Sequence, residues 1–217
     1  MSELPLKTIS VVGTDAFDFL QNQLTNDLKL LETEAEILAA WCSPKGRVIW
    51  FGTVQATESG YTLSVAADIA EDVVSRLTVF RFRAKVEFSI DEGGSVDAEF
   101  LIKNGYAFIG SAQSEQFTPH MLNLDVLGAV SADKGCYPGQ EIVARTHFRG
   151  ATKRRLMRFE STEPVSPGDK VSDGERDVGE VLNAVGTQLL AVVPVEKAAE
   201  SLNIREIALL HLPLPYL

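Results

Sequence analysis

The sequence predicts an α+β chain of two lobes. Two observations carry this. Strand-like and helix-like periodicities alternate up to about residue 150, and the stretch after that reads almost wholly as short strands between glycine and proline turns. A third sets the scale: 217 residues, 45% hydrophobic and 23% charged, suit one large or two small globular domains.

Leu6 to Val12 predicts a short strand ended by Gly13. Thr14 or Asp15 then caps a helix whose Phe17, Leu20, Leu24, Leu28 and Leu31 fall at helical spacing, with Asn26 and Asp27 as its point of interruption. Residues 35–57 read as two strands around Ser43-Pro44-Lys45-Gly46, where proline second and glycine fourth suit a type I turn. Residues 61–67 alternate as another strand. Asp68 and Glu71 are spaced as a capping box ahead of a helix with Ile69, Val73, Val74 and Leu77 on its apolar face.

Residues 79–90 (VFRFRAKVEFSI) alternate and predict a strand, with Arg81, Arg83 and Lys85 on one face. DEGGS, residues 91–95, predicts a turn. FLIKNGYAFIG, residues 100–110, reads as strand, glycine turn and strand. Pro119 precedes a short helix-like segment carrying Asn123 and Asp125. From Ala151, turns at Pro167-Gly168, Asp173-Gly174 and Gly186 divide a strand-rich lobe, the pattern of a small β-barrel or sandwich.

No apolar run approaches the ~20 residues of a membrane span, and MSELPLKTIS lacks the charged and apolar parts of a secretory signal. A cytoplasmic protein without membrane contact is expected. Two cysteines, Cys42 and Cys136, make no disulfide framework and fit a reducing compartment. With a formal charge of -10, no direct nucleic-acid partner is expected. The charge is uneven, however. Lys134 to Arg158 holds seven cations against Glu141, so that segment is +6 and the remainder -16. Arg145, Arg149, Lys153 and Arg154 are read as a basic face that receives an anion. The cluster of Arg76, Arg81, Arg83 and Lys85 is read as a solvated face.

Within KGCYPGQEIVARTHFRG, Gly135 permits close backbone approach and Pro138 fits a first helical turn. Cys136 then precedes a helix N-terminus beside Lys134, and dipole and cation both favour thiolate. A buried, inert sulfur is the competing reading. His147 lies 11 residues on, about 16 Å along a helix, so it is not the base of a cysteine dyad. No metal-ligand spacing, Walker loop or G-x-G-x-x-G occurs. A carboxylate at Asp125, with Asn123, is a candidate reader of a heterocycle, against the plainer reading of a cap or turn.

The stretch KGCYPGQEIVARTHFRGATKRRL resembles the signature of the YgfZ-type folate-binding proteins, relatives of the aminomethyltransferase T-protein of glycine cleavage. DAFDFLQNQLTNDL, AAWCSPKGRVIW and QFTPHMLNLDVLGAVSADKGCY are similar to the family's first helix, its C-x-x-K-G hairpin and the approach to the signature. The resemblance covers most of the chain. It implies a ferredoxin-like α+β core over residues 1–155 and a C-terminal antiparallel β-barrel over 156–217. It implies a cavity for tetrahydrofolate and support of iron–sulfur enzymes, including those that thiomethylate tRNA. The partners implied are iron–sulfur assembly proteins or client enzymes. Cys136 takes the place of the motif cysteine, with Lys134, Gly135, Tyr137, Gly139, Gln140 and Glu141 as its motif neighbours. The alternatives are a folate-dependent aminomethyltransferase and a protein-docking module. Between Ile90 and Phe100 the chain has only a predicted turn where relatives carry a larger insertion. The positions of two family tryptophans fall near Leu6 and Asp97.

Overall fold

The computed structural model describes residues 2–150, 152–198 and 200–217, with Arg149 described through its backbone only. Strand β1 (Glu3–Val12) leads to helix α1 (Ala16–Gln21); β2 (Ile37–Cys42), β3 (Val48–Thr57) and β4 (Gly60–Ala66) form a meander. Helix α2 (Ala70–Phe80) returns the chain to β5 (Glu87–Asp97), and the antiparallel sheet has the order β2-β3-β4-β1-β5. Helices α3 (Ala98–Asn104) and α4 (Gln140–Arg149) follow. Strands β6 (Arg154–Ser161), β7 (Lys170–Ser172), β8 (Asp177–Val185), β9 (Gln188–Pro194), β10 (Leu202–Ile204) and β11 (Ile207–Leu212) close a barrel in the order β10-β11-β6-β9-β8-β7. The α+β class with an antiparallel C-terminal barrel is thus observed. No described helix is long and apolar enough to cross a membrane.

Period-2 alternation explains how three cores coexist. On β9, Leu189, Ala191 and Val193 point into the barrel with Met157, Phe159 and Val171, while Leu190 and Val192 point outward. The outward residues meet Ala40, Val48 and Phe51 of the sheet and Ile102, Ile109 and Leu122 of the connecting segment. This second core joins sheet to barrel. The first core lies where Ile9, Trp41, Trp50 and Leu63 meet Leu20, Val73 and Leu77 of the helices.

Five local expectations are corrected. The first helix ends at Gln21, because the next polar residues bond to the edge of β2 instead of continuing the helix. Leu24 bridges Trp41, Thr25 N–H donates to Ala40 O, Ala40 N–H donates to Thr25 Oγ1, and the Asn26 amide donates to Leu38 O. Leu20, Leu24 and Leu28 are nevertheless all buried. The capping box does not form; the Asp68 carboxylate accepts from Ser111 N–H and Oγ.

Residues 79–86 do not join a strand. Leu77 extends the buried face of α2, the helix runs to Phe80, and a turn reverses the chain with Ala84 N–H donating to Arg81 O at 2.8 Å. DEGGS lies inside β5, not at a turn. Pairing to β1 slips one residue between Pro5 and Lys7, and a Cβ on Gly93 would come within 2.6 Å of the Lys7 carbonyl carbon. That is a bulge beside Pro5, which has no N–H to donate. Finally, residues 98–104 are helical. Asp97 caps them by accepting from Glu99 N–H, and Gly105 ends them in the left-handed conformation.

Candidate functional site

Two glycine turns meet at the base of the cysteine loop. Gly46 N–H donates to Ser43 O at 2.8 Å, closing the expected turn between β2 and β3. Gly139 precedes α4 with φ +80°, and a Cβ there would lie 2.5 Å from Ser43 O and 2.7 Å from Gly46 Cα. A Cβ on Gly46 would in turn meet the Ile142 side chain at 2.8 Å. The C-x-x-K-G hairpin and the G-Q-E helix start are therefore two halves of one contact that admits no side chain between them.

Lys134 anchors the other flank. It is 6% exposed, and its ammonium donates to the carbonyl oxygens of Gln21, Leu24 and Asn26. Burial pulls its pKa down to about 8, opposed by the nearby Asp27 charge. Its Nζ lies 5.3 Å from the centroid of the Tyr137 ring, which is also buried. Burial raises the Tyr137 phenol, and Cys42 adds to the rise. The expectation that Lys134 stands as a cation over the sulfur is corrected. It faces residues 21–26, where three carbonyls need a donor.

Between these anchors the chain comes to the surface. Gly135 and Cys136 are exposed, and among the described residues nothing approaches within 4 Å of a Cβ built on Gly135. Pro138 and Gln140 are half-buried, and Glu141 and Arg145 are exposed on the first turns of α4. Cys42 is the opposite kind of thiol: 1% exposed, pushed up to about 12 by burial. Iodoacetamide on the folded protein is accordingly expected to modify Cys136 and spare Cys42, read by intact-mass and peptide spectrometry. Equal modification of both would contradict this geometry.

His147 packs on His120, with ring centroids 6.0 Å apart, and on Phe148. Burial lowers the His120 pKa, and neither of its ring nitrogens has a partner among the described residues. No group of three potential metal ligands occurs among the described residues.

Of the expected basic face, only Arg154 is bonded among the described side chains. The Arg154 guanidinium donates to Val178 O, and Arg158 donates to Gln188 Oε1. Arg155 forks onto both Asp125 oxygens at 2.9 and 2.8 Å, holding that carboxyl below its ordinary range against the effect of burial. Lys153, like Arg145, is exposed, and the Arg149 side chain lies outside the described residues. Asn123 is fully buried, donating to Leu156 O and accepting from Arg155. Asn123 and Asp125 thus tie the connecting segment to β6.

A cleft of about 570 Å³ opens elsewhere, between the sheet and α3. Phe51, Phe100, Tyr106 and Phe108 give it aromatic walls, and Glu36, Thr53 and Ser64 add polar groups. Leu6 lines it too, as do Ser95 and Val96 beside Asp97. The residues around the two tryptophan positions therefore do face one cavity. The aromatic rings come instead from four positions between residues 51 and 108, which share no local pattern. Asn123, Asp125 and the cysteine loop contribute nothing to its lining.

Residues 153–214 match the family described as CAF17, C-terminal beta-barrel domain. A protein of Escherichia fergusonii named tRNA-modifying protein YgfZ is 28% identical over 255 residues, spanning 84% of this chain and 78% of that protein. One of the same name from Hamiltonella defensa is 24% identical over 220 residues, 68% of this chain and 66% of that one. A third, from Escherichia coli O45:K1, is 44% identical over 91 residues, which span 42% of this chain and 28% of that protein. Among solved structures, the glycine cleavage system aminomethyltransferase T from Bartonella henselae superposes with a TM-score of 0.68 at 15% identity. The match covers 98% of this chain and 84% of that one. At that identity the likeness is one of fold.

Proposed function

We propose, for a chain with YgfZ homologues, a CAF17-type barrel and a T-protein-like fold, that it is an accessory protein supporting assembly or repair of iron–sulfur enzymes, including those that thiomethylate tRNA. In this reading it works in the cytoplasm with iron–sulfur assembly proteins or their clients. The residues before β6 carry the thiol and the ligand cleft, and the barrel lobe begins with β6 at Arg154, two residues ahead of the expected boundary.

One observation carries the reading. Cys136 is an exposed thiol at the apex of a loop whose flanks are buried and bonded. A sulfur that only fills space is buried, as Cys42 is. A sulfur presented to a partner needs exposure and a fixed base. Gly135 leaves room above the loop, while Lys134, Tyr137 and Gly139 hold it from below. Gln140 and Glu141 open the helix behind it. Arg145, Lys153 and Arg154 add positive charge, with Arg149 as a further candidate.

The cleft is the proposed tetrahydrofolate-type site. Its volume lies in the usual ligand range of roughly 300–1,000 Å³. Aromatic walls suit a pterin ring, and the Glu36 carboxylate is an acceptor for ring N–H groups. When bound, the folate would supply one-carbon chemistry; the residues here bind and orient it. The transferase reading needs a free carboxylate, and the engagement of Asp125 by Arg155 weighs against Asp125 in that role.

The test is complementation of a strain lacking the gene. Cys136→Ala is expected to give iron–sulfur enzyme activity and tRNA thiomethylation no higher than the deletion strain, with an unchanged melting curve. Full complementation would remove the proposed role of the thiol. Calorimetry with tetrahydrofolate is expected to show binding that Phe108→Ala weakens and Cys136→Ala leaves intact.

A further inference from the structure

The turn between α2 and β5 pushes apolar side chains into solvent. Phe82 is 91% exposed and Val79 72%, while Phe80 is turned partly inward with its ring edge against Trp41. Phe82 also has φ +45°, a left-handed conformation that an aromatic residue rarely adopts. Glycine would relieve that strain at once, and a polar residue would suit the exposure better. The strained backbone is held from both sides: Ala84 N–H donates to Arg81 O, and Lys85 N–H donates to the Asp15 carboxylate. Strain held in this way, on a side chain that contributes nothing to the core, marks a residue kept for something outside the fold.

Charge says what that is. Arg83 and Lys85 are exposed around Phe82, and Arg81 is half-buried beside it, in a chain of net charge -10. We infer that the Val79–Phe82 knob docks an acidic amphipathic segment of another protein, with Phe82 as the apolar anchor and Arg83 and Lys85 meeting its carboxylates. Aromatic and arginine side chains are among those enriched at interface hot spots, and rim charges select the sign of the partner. Single-stranded nucleic acid fits less well. Phe82 is the one largely exposed ring on the turn, so there is no ladder on which successive bases could stack. Neither Phe82 nor Val79 lines the cleft or the cysteine loop, so this inference stands or falls apart from the proposed function.

The test compares the full chain with its Phe82→Gly and Arg83→Glu variants. Each is presented to a random-peptide display library, to oligouridylate, and to vesicles of phosphatidylcholine with phosphatidylglycerol. Wild type is expected to select peptides that combine carboxylates with apolar residues, with binding that weakens as salt rises. Both variants are expected to bind the selected peptides about tenfold or more weakly. Phe82→Gly is also expected to melt at a higher temperature than wild type, which separates lost binding from lost folding. Peptides selected equally well by Phe82→Gly would overturn the inference. So would selection without carboxylates, or a binding signal dependent on Phe82 only with oligouridylate or vesicles.

Discussion

Lys134→Met is expected to lower the unfolding free energy by about 3 kcal/mol. The variant keeps an unbranched side chain, one atom shorter, but leaves the carbonyls of Gln21, Leu24 and Asn26 without their shared donor. Three charge-assisted bonds at roughly 1.5–3 kcal/mol each set the upper range. The cost of burying an ammonium and the apolar gain of methionine reduce it. In a domain of this size that is a fall in melting temperature of about 6–12 °C. The segment released is the one that covers the edge of β2, so the damage spreads to the sheet.

The same residue gives the effect a pH dependence. Its pKa is about 8 in the folded protein, against 10.5 as its ordinary value. Between those values the unfolded chain holds a proton that the folded chain has released. Folding therefore strengthens as pH rises through that window, and the gain is lost again as pH falls through about 8. Lys134→Met has no such proton, and the tyrosine phenols are common to both proteins. Urea melts at about pH 7 and about pH 10 should show the variant's deficit widening at the higher pH. A deficit that stays flat or narrows would mean that the ammonium is not held in the buried position.

Gly139→Val is expected to cost about 3 kcal/mol or more. Valine is branched at Cβ and disfavours a φ of +80°, and its Cβ would collide with the backbone of Ser43 and Gly46, which cannot swing aside. The hairpin and α4 would have to separate, and Cys42 would become reactive along with Cys136. Gly135→Ala is the control. Among the described residues nothing lies within 4 Å of a Cβ at that position, and the cost should stay within about 0.5 kcal/mol. If the two substitutions cost the same, the glycine contact is not what holds the loop.

Much of this was legible in the sequence because it is local. The Ser43-Pro44-Lys45-Gly46 turn, the apolar face of α2, the α4 helix and the strand-rich C-terminal lobe each rest on spacing and turn chemistry within a few residues. The stripe Leu20, Leu24, Leu28 shows the limit. Its burial follows from the pattern, but its backbone does not, because Thr25 and Asn26 find better partners on β2 than in a helix. Residues 79–90 fail for a related reason. Alternation makes a strand only where a neighbouring strand exists to pair with it, and β1 reaches only as far as Glu87.

The site divides along the same line. The sequence alone determined that Cys136 sits among glycines ahead of a helix, and that local chemistry placed the motif. Only the tertiary structure decided that Lys134 turns away from the thiol, that Asp125 is taken by Arg155, and that four scattered aromatic residues line one cleft. Which carbonyls a buried ammonium satisfies, and which ring faces which cavity, depends on segments more than a hundred residues apart for Lys134. No local pattern encodes such a meeting; packing and the need to satisfy buried polar groups impose it.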